Sequence, residues 1–342
     1  MSGSMSRKVV RLRDVADAAG TSTKTASRVV NGDSRVSPDT RRRVEQAVES
    51  LGYQVDVTAR SLRRGVDDTI GIVVPTIGDP FFAKAIEEIE KRSLDLGVKL
   101  LVASNSYSAE TEREIVEGLI GRRVAGLIIT PEFADYSFLQ RIPTPTVFID
   151  RHPRGLDSGV VRVDDQGAAR AAVLHLAEHG HRRVAIVTDD LTIRTSKLRH
   201  LGYHDALRDR GLPIEERLEA HGCRDAHDAF SATEALISGP HAPTAIFSSR
   251  SETSLGVVRQ LHASGRTDIA LISFGDFVTA DVITPAVTAI DHDPAMLASA
   301  AMDRLTERMA GVPDDGSDTI VPLRLIERGS GELTPAHLEA SA

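Results

Sequence analysis

Cys223 is the only cysteine in the 342 residues. One thiol cannot close an internal disulfide and does not suggest a zinc finger; it fits a reducing cytoplasm. Its expected role is that of a small, partly buried residue. No apolar run approaches membrane-spanning length, and the amino terminus has no signal-peptide core, so no membrane partner is expected. Catalytic signatures are missing as well: there is no Walker loop, no GxSxG elbow and no HExxH. Carboxylates are abundant, but a glycosidase is defined by their spatial separation and not by their number. What is present is a chain of 41% hydrophobic and 26% charged residues, ordinary for a globular protein and long enough for two or three domains.

Charge divides the chain unevenly. Residues 1–64 carry 13 Lys+Arg against 7 Asp+Glu, whereas the remainder carries 28 against 42. A basic head on an acidic body points to nucleic-acid contact through the head alone. After a flexible leader over residues 1–10, apolar residues recur at helical spacing in three sets: Leu12 to Ala19, Ala26 to Val30, and Val44 to Leu51. Ala19-Gly20-Thr21-Ser22 breaks the first two sets, predicting a helix-turn-helix with a third helix packed across it. Ser37, Pro38 and Gly52 supply the start and stop signals of that third helix. The second helix exposes Thr23, Lys24, Thr25, Ser27 and Arg28, short hydroxyls and long cations able to reach base edges and phosphates. Arg41, Arg42 and Arg43, near the start of the third helix, face either phosphate or solvent.

Beyond Thr69 the pattern changes. Buried-strand runs at Ile70–Val74, Lys99–Ala103, Leu127–Ile129 and Val147–Ile149 alternate with helical segments. A second series follows at Val184–Val187, Ala245–Phe247 and Ile269–Ile272. This alternation predicts two α/β lobes with parallel sheets and a break near Val163-Asp164-Asp165. Ligands in such sheets gather at the carboxyl ends of strands, here polar at Asp79, Asp150, Asp189, Arg250 and Asp276.

Residues 11–62 resemble the DNA-binding head of the lactose-repressor (LacI/GalR) family through Asp14-Val15-Ala16, Ser27-Arg28-Val29-Val30-Asn31, Val36-Ser37, Leu51-Gly52-Tyr53 and Ala59-Arg60-Ser61-Leu62. The resemblance places Asn31, Arg60 and Leu62 with the DNA-binding residues. It also implies a hinge helix whose Leu62 wedges into the minor groove at a central CpG step. Val55-Asp56 stands where the family usually has Pro-Asn. The body is similar to the family's effector domain through Asp79-Pro80-Phe81-Phe82, Phe148-Ile149-Asp150-Arg151 and Arg199-His200-Leu201-Gly202-Tyr203.

This resemblance implies a head at 11–55, a hinge at 56–68, an effector and dimerisation domain at 69–328 and a tail at 329–342. It divides the body into lobe 1 (about 69–163 plus 292–320) and lobe 2 (about 164–290 plus 321–328), with three crossings. The implied effector residues are Asp79, Phe82, Asp150, Arg199 and Asp276. Arg250 departs from the Asn-Asp pair common in sugar-binding relatives. It either joins Arg199 around an anionic group of a sugar-derived effector, or neutralises Asp276 or a neighbouring acid.

The expected molecule is a homodimeric repressor on a pseudo-palindromic double-stranded DNA operator, controlled by a small-molecule effector and needing no cofactor. His175, His179 and His181 have metal-like spacing but coincide with structural positions of the family, so no metal is expected there. A transport-type solute-binding protein would have no use for residues 11–62. A sugar-modifying enzyme would need a nucleophile–base pair, and none is visible.

Overall fold

The structure, a computed structural model, describes residues 10–30, 33, 35–53, 68–132 and 134–335. The chain divides into two compact units, Met1–Asp67 and Asp68–Ala342. In the first, α1 (Leu12–Ala18), α2 (Thr23–Val30) and α3 (Pro38–Leu51) pack on a core of Val15, Ala16, Ala19, Ala26, Val29, Val44 and Ala47. Ser22 starts α2, its Oγ accepting the Thr25 N–H at 3.1 Å. Ser37 starts α3 by accepting from the Thr40 N–H at 3.4 Å, and Gly52 ends it in the left-handed region at φ +62°. Asn31, Asp56, Arg60 and Leu62 lie outside the described residues.

The second unit holds two six-stranded sheets. The first runs β11 (Thr319–Ile320), β5 (Val160–Arg162), β4 (Thr146–Ile149), β3 (Gly126–Ile129), β1 (Thr69–Val74) and β2 (Lys99–Ser104), parallel throughout. The second runs β12 (Arg324–Ile326), β10 (Thr288–Asp291), β9 (Ala270–Phe274), β8 (Ala245–Ser248), β6 (Val184–Val187) and β7 (Glu219–Ala220), with only β12 antiparallel. Every residue of β1, β3, β6, β8 and β9 is buried. Strands covered on both faces read as unbroken apolar runs, which is why they stand out in the sequence.

Helices cover both faces of each sheet. In the first lobe α4 (Pro80–Asp95) and α10 (Pro294–Met309) lie on one side and α5 (Ala109–Gly121) on the other. In the second, α6 (Asp165–Glu178) and α7 (Arg194–Asp209) face α8 (Ala226–Ile237) and α9 (Ser251–Ala263) across the sheet. Two helical glycines set the spacing. A Cβ at Gly202 would sit 2.2 Å from the Gln166 carbonyl oxygen, and one at Gly256 would sit 2.2 Å from that of Ala226. Both helix pairs therefore pack backbone to backbone at these points. The chain passes to the second lobe after β5, returns after β10, and crosses again between β11 and β12.

Residues 329–333, set apart by sequence as a tail, belong to the second lobe. Ser330 is buried and its Oγ donates to the Leu271 carbonyl at 2.5 Å; Gly329 bridges to Ala286. Glu332 accepts from Thr288 Oγ1 and pairs with His175, both at 2.7 Å, while the Leu333 carbonyl lies 2.8 Å from His181 Nε2. The short polar residues here read as linker, yet they satisfy buried sheet groups. His175, His179 and His181 thus serve local packing, with His179 Nδ1 on the His175 carbonyl. Cys223 is buried, and burial pushes its thiol up to about 11. Among the described residues no helix is long and apolar enough to cross a membrane.

Candidate nucleic-acid interface and ligand cleft

On α2, Thr23, Lys24 and Arg28 are exposed, while Thr25 and Ser27 are half-buried. The Thr25 hydroxyl is engaged with Ser22 Oγ at 2.8 Å, so its first task is to start the helix. Arg28 lies 3.8 Å from the Asp33 carboxylate, which Arg35 grips in a fork at 3.0 and 2.9 Å. That grip holds the Asp33 carboxyl down at about 2. Arg41 donates to the Asp33 backbone carbonyl at 2.6 Å and Arg42 pairs with Asp39 at 2.5 Å. Two of the three α3 arginines therefore brace their own surroundings, an option the sequence pattern alone did not distinguish.

The body's cleft opens between strand ends of the two lobes. Phe81, Phe82, Tyr107, Phe274 and His292 form its apolar walls, and three arginines and three aspartates supply its charge. Asp79 starts α4, accepting from the Phe81 N–H at 2.9 Å, which turns both phenylalanine rings toward the cleft. Asp150 follows β4 in the left-handed region at φ +71°, a strained setting for a residue with a Cβ, held by its N–H donating to the Val161 carbonyl at 2.8 Å. Its neighbour Arg151 pairs with it at 3.0 Å and with Glu132 at 2.6 Å. Burial raises the Glu132 carboxyl to about 7 despite that arginine.

Arg199, on the cleft face of α7, is 6% exposed. It donates from Nε to Asp165 at 2.8 Å and from Nη1 to the Ser249 carbonyl at 2.7 Å, and its guanidinium lies 3.8 Å from the Phe274 ring centre. Burial raises the Asp165 carboxyl above its ordinary value against the pull of Arg199. His292, at the second crossing between lobes, stacks on Phe81 at 4.9 Å; burial and then Arg199 push it down to about 4, so it is neutral. Among the described residues its buried Nδ1 has no hydrogen-bond partner.

Arg250 joins the two lobes. Its Nη1 donates to Asp189 on its own side and its Nη2 reaches Asp79 across the cleft at 3.4 Å. Of the two readings of this residue, neutralisation matches the geometry, with Asp189 and Asp79 as the acids in place of Asp276. Asp276 itself is a correction. Arg328 grips it bidentately at 2.7 and 2.6 Å, and it lines an adjoining groove, with Lys84 and Arg324, that shares Phe81, Ser251 and His292 with the cleft. Asp79, Phe82, Asp150, Arg199 and Arg250 do meet in one cleft. Arg151, Tyr107, Phe274 and His292 were missed as lining residues; only Arg151, at a strand end beside Asp150, carried a usable signal.

Fold and cleft together define a two-part molecule: a small helix-turn-helix head and a two-lobed ligand-binding body. Comparisons with known proteins agree. Residues 11–56 match the description "Bacterial regulatory proteins, lacI family", and residues 173–331 match "Periplasmic binding protein-like domain". The ribose operon repressor of Escherichia coli (strain K12) is 30% identical over 93% of this chain and 99% of its own length. The HTH-type transcriptional regulator GalR of Salmonella typhimurium (strain SL1344) is 30% identical over 85% of this chain and 87% of its own. A crystal structure of the lac repressor dimer bound to operator and an anti-inducer superposes with a TM-score of 0.82 at 26% identity, covering 95% of this chain and 99% of that one. The chain belongs to the lacI family of bacterial regulatory proteins and is a DNA-binding transcriptional regulator.

Proposed function

We propose that the protein is a cytoplasmic homodimeric repressor whose effector is a neutral sugar or polyol held in the cleft between the lobes. The observation that carries this reading is the state of the cleft arginines. Arg151, Arg199 and Arg250 are all matched by carboxylates, namely Asp150 with Glu132, Asp165, and Asp189 with Asp79. An anion entering the cleft meets no unmatched cation and several acids, so the anionic effector expected from two arginines loses its support. A hydroxylated ligand fits better, since fixed carboxylates accept from hydroxyls while fixed guanidiniums donate. The partly exposed ring of Phe81 suits the apolar face of a sugar. The names of two relatives, a ribose operon repressor and GalR, are in keeping with such a ligand.

In the proposed dimer two copies of α2 enter successive major grooves of a pseudo-palindrome, with Thr23, Lys24, Thr25, Ser27, Arg28 and Asn31 at the DNA and Arg60 and Leu62 in the hinge. The effector acts on the lobes by taking over the Arg250–Asp79 contact, which alters their angle and so the spacing of the heads. A thermal-shift screen of paired neutral sugars and their acid or phosphate forms tests the ligand, because binding to the folded state raises its melting temperature. Neutral members are expected to stabilise the wild type and to release it from a selected operator. Preference for the anionic forms, lost in Arg250→Asn, would overturn the reading.

A further inference from the structure

On the back of α7, away from the cleft, three imidazoles converge on one carboxylate. His200 and His204 stand one helical turn apart and so share a face. Edge strand β7 brings Glu219 opposite them, and His221 follows two residues later. His200 Nε2 lies 2.7 Å from Glu219 Oε2, and His221 Nε2 lies 3.3 Å from the same oxygen. His204 Nε2 lies 2.7 Å from the other oxygen, Oε1. Ligand atoms of His200, Glu219 and His221 all fall within 4.8 Å of one another.

We propose that His200, Glu219 and His221 form a binding site for a divalent transition metal of the zinc class, with His204 orienting the carboxylate. Two imidazoles and a carboxylate are a donor set that suits zinc, which takes nitrogen at about 2.0–2.1 Å and oxygen at about 2.0–2.2 Å. The present separations need only a small outward shift to admit an ion at the centre. His200 Nε2 and His221 Nε2 converge on one oxygen of Glu219, more nitrogen donors than a simple ion pair employs. Glu219 is buried, His200 and His204 are partly so, and His221 is 37% exposed, so the ion enters from solvent and a water completes its shell. The ion would tie α7, which also presents Arg199 to the cleft, to the sheet edge.

The test uses the untagged full chain titrated with Zn²⁺ or Co²⁺ alone. One ion per protomer is expected, with the visible absorption bands of low-symmetry Co²⁺. Saturating zinc is expected to raise the melting temperature by roughly 5 °C. His221→Gln, an exposed position safe for folding, should weaken the affinity about 100-fold or more and remove the cobalt bands, and His204→Gln should weaken it about 10- to 100-fold. Operator binding checks that both variants are folded. Wild-type protein without cobalt bands, or uptake unchanged in His221→Gln, would overturn the proposal.

Discussion

Truncating Arg199 tests the core of the cleft and the physics of its charges together. In Arg199→Ala the Asp165 carboxylate, 1% exposed, loses its partner, and the Ser249 carbonyl loses a donor at 2.7 Å. Breaking a buried pair from one side costs about 3–5 kcal/mol, because the remaining charge stays buried. Against a total stability of about 5–15 kcal/mol this is a large fraction, and it corresponds to a melting point lower by about 10 °C. The loss should depend on pH. Burial already raises Asp165, and removing Arg199 raises it further. A carboxyl with a raised folded-state pKa contributes stability that is complete below its unfolded value and is lost as pH rises through the folded value. The variant's deficit should therefore be larger at pH 8 than at pH 5, where the carboxyl takes up a proton. Urea unfolding of wild type, Arg199→Ala, Asp165→Asn and the double variant closes the cycle, with a coupling of at least about 1 kcal/mol expected. A deficit under about 1 kcal/mol, or one equal at both pH values, would refute the account.

Other outcomes are open to measurement. Glu132, raised to about 7 by burial, should make wild type more stable as pH falls from 8 to 6, and Glu132→Gln should flatten that slope in urea midpoints. Gly202→Ala, whose Cβ would press on the Gln166 carbonyl, should cost more than about 1 kcal/mol, while Gly118→Ala, in open space on α5, should gain up to about 1 kcal/mol by thermal melts. Lys24→Ala should lower operator affinity and, if the contact is to phosphate, reduce the salt slope by about one. Leu62→Ala should weaken specific binding more than non-specific binding in competition assays, since a wedge acts only where DNA kinks.

The architecture was legible because burial on two faces leaves a mark in one dimension. Ile70–Val74 and Val184–Val187 are apolar without alternation, and the structure makes them central parallel strands. The start of α3 was legible for a local reason, since Ser37 caps it within three residues of itself; Asp79 and Asp164 cap α4 and α6 in the same way. Residues 329–333 were not, because their role rests on partners such as Leu271 and Thr288, some forty to sixty positions away. No periodicity in a short polar segment reports such a partner.

The cleft divides in the same way. Position at a strand end identified Asp150 and Arg250, but which acid each arginine meets depends on how two lobes face each other. Asp276 follows β9 as Asp189 follows β6, yet Arg328 pairs with the first while Arg250 holds the second at the cleft. The Arg250 substitution takes its meaning once its partners are known. In sequence it left two readings open, an anionic ligand or a neighbouring acid; bound to Asp189 and Asp79 it becomes a strap between lobes whose charge is already matched. A hydroxylated ligand of the proposed kind would replace a carboxylate contact with its own hydroxyl and leave the net charge of the site unchanged. Binding that conserves charge should depend little on salt, whereas operator binding should fall steeply with it. Titrating effector and operator across the same salt range separates the two. An effector affinity that drops with salt as steeply as DNA affinity would show that the cleft holds an unmatched charge.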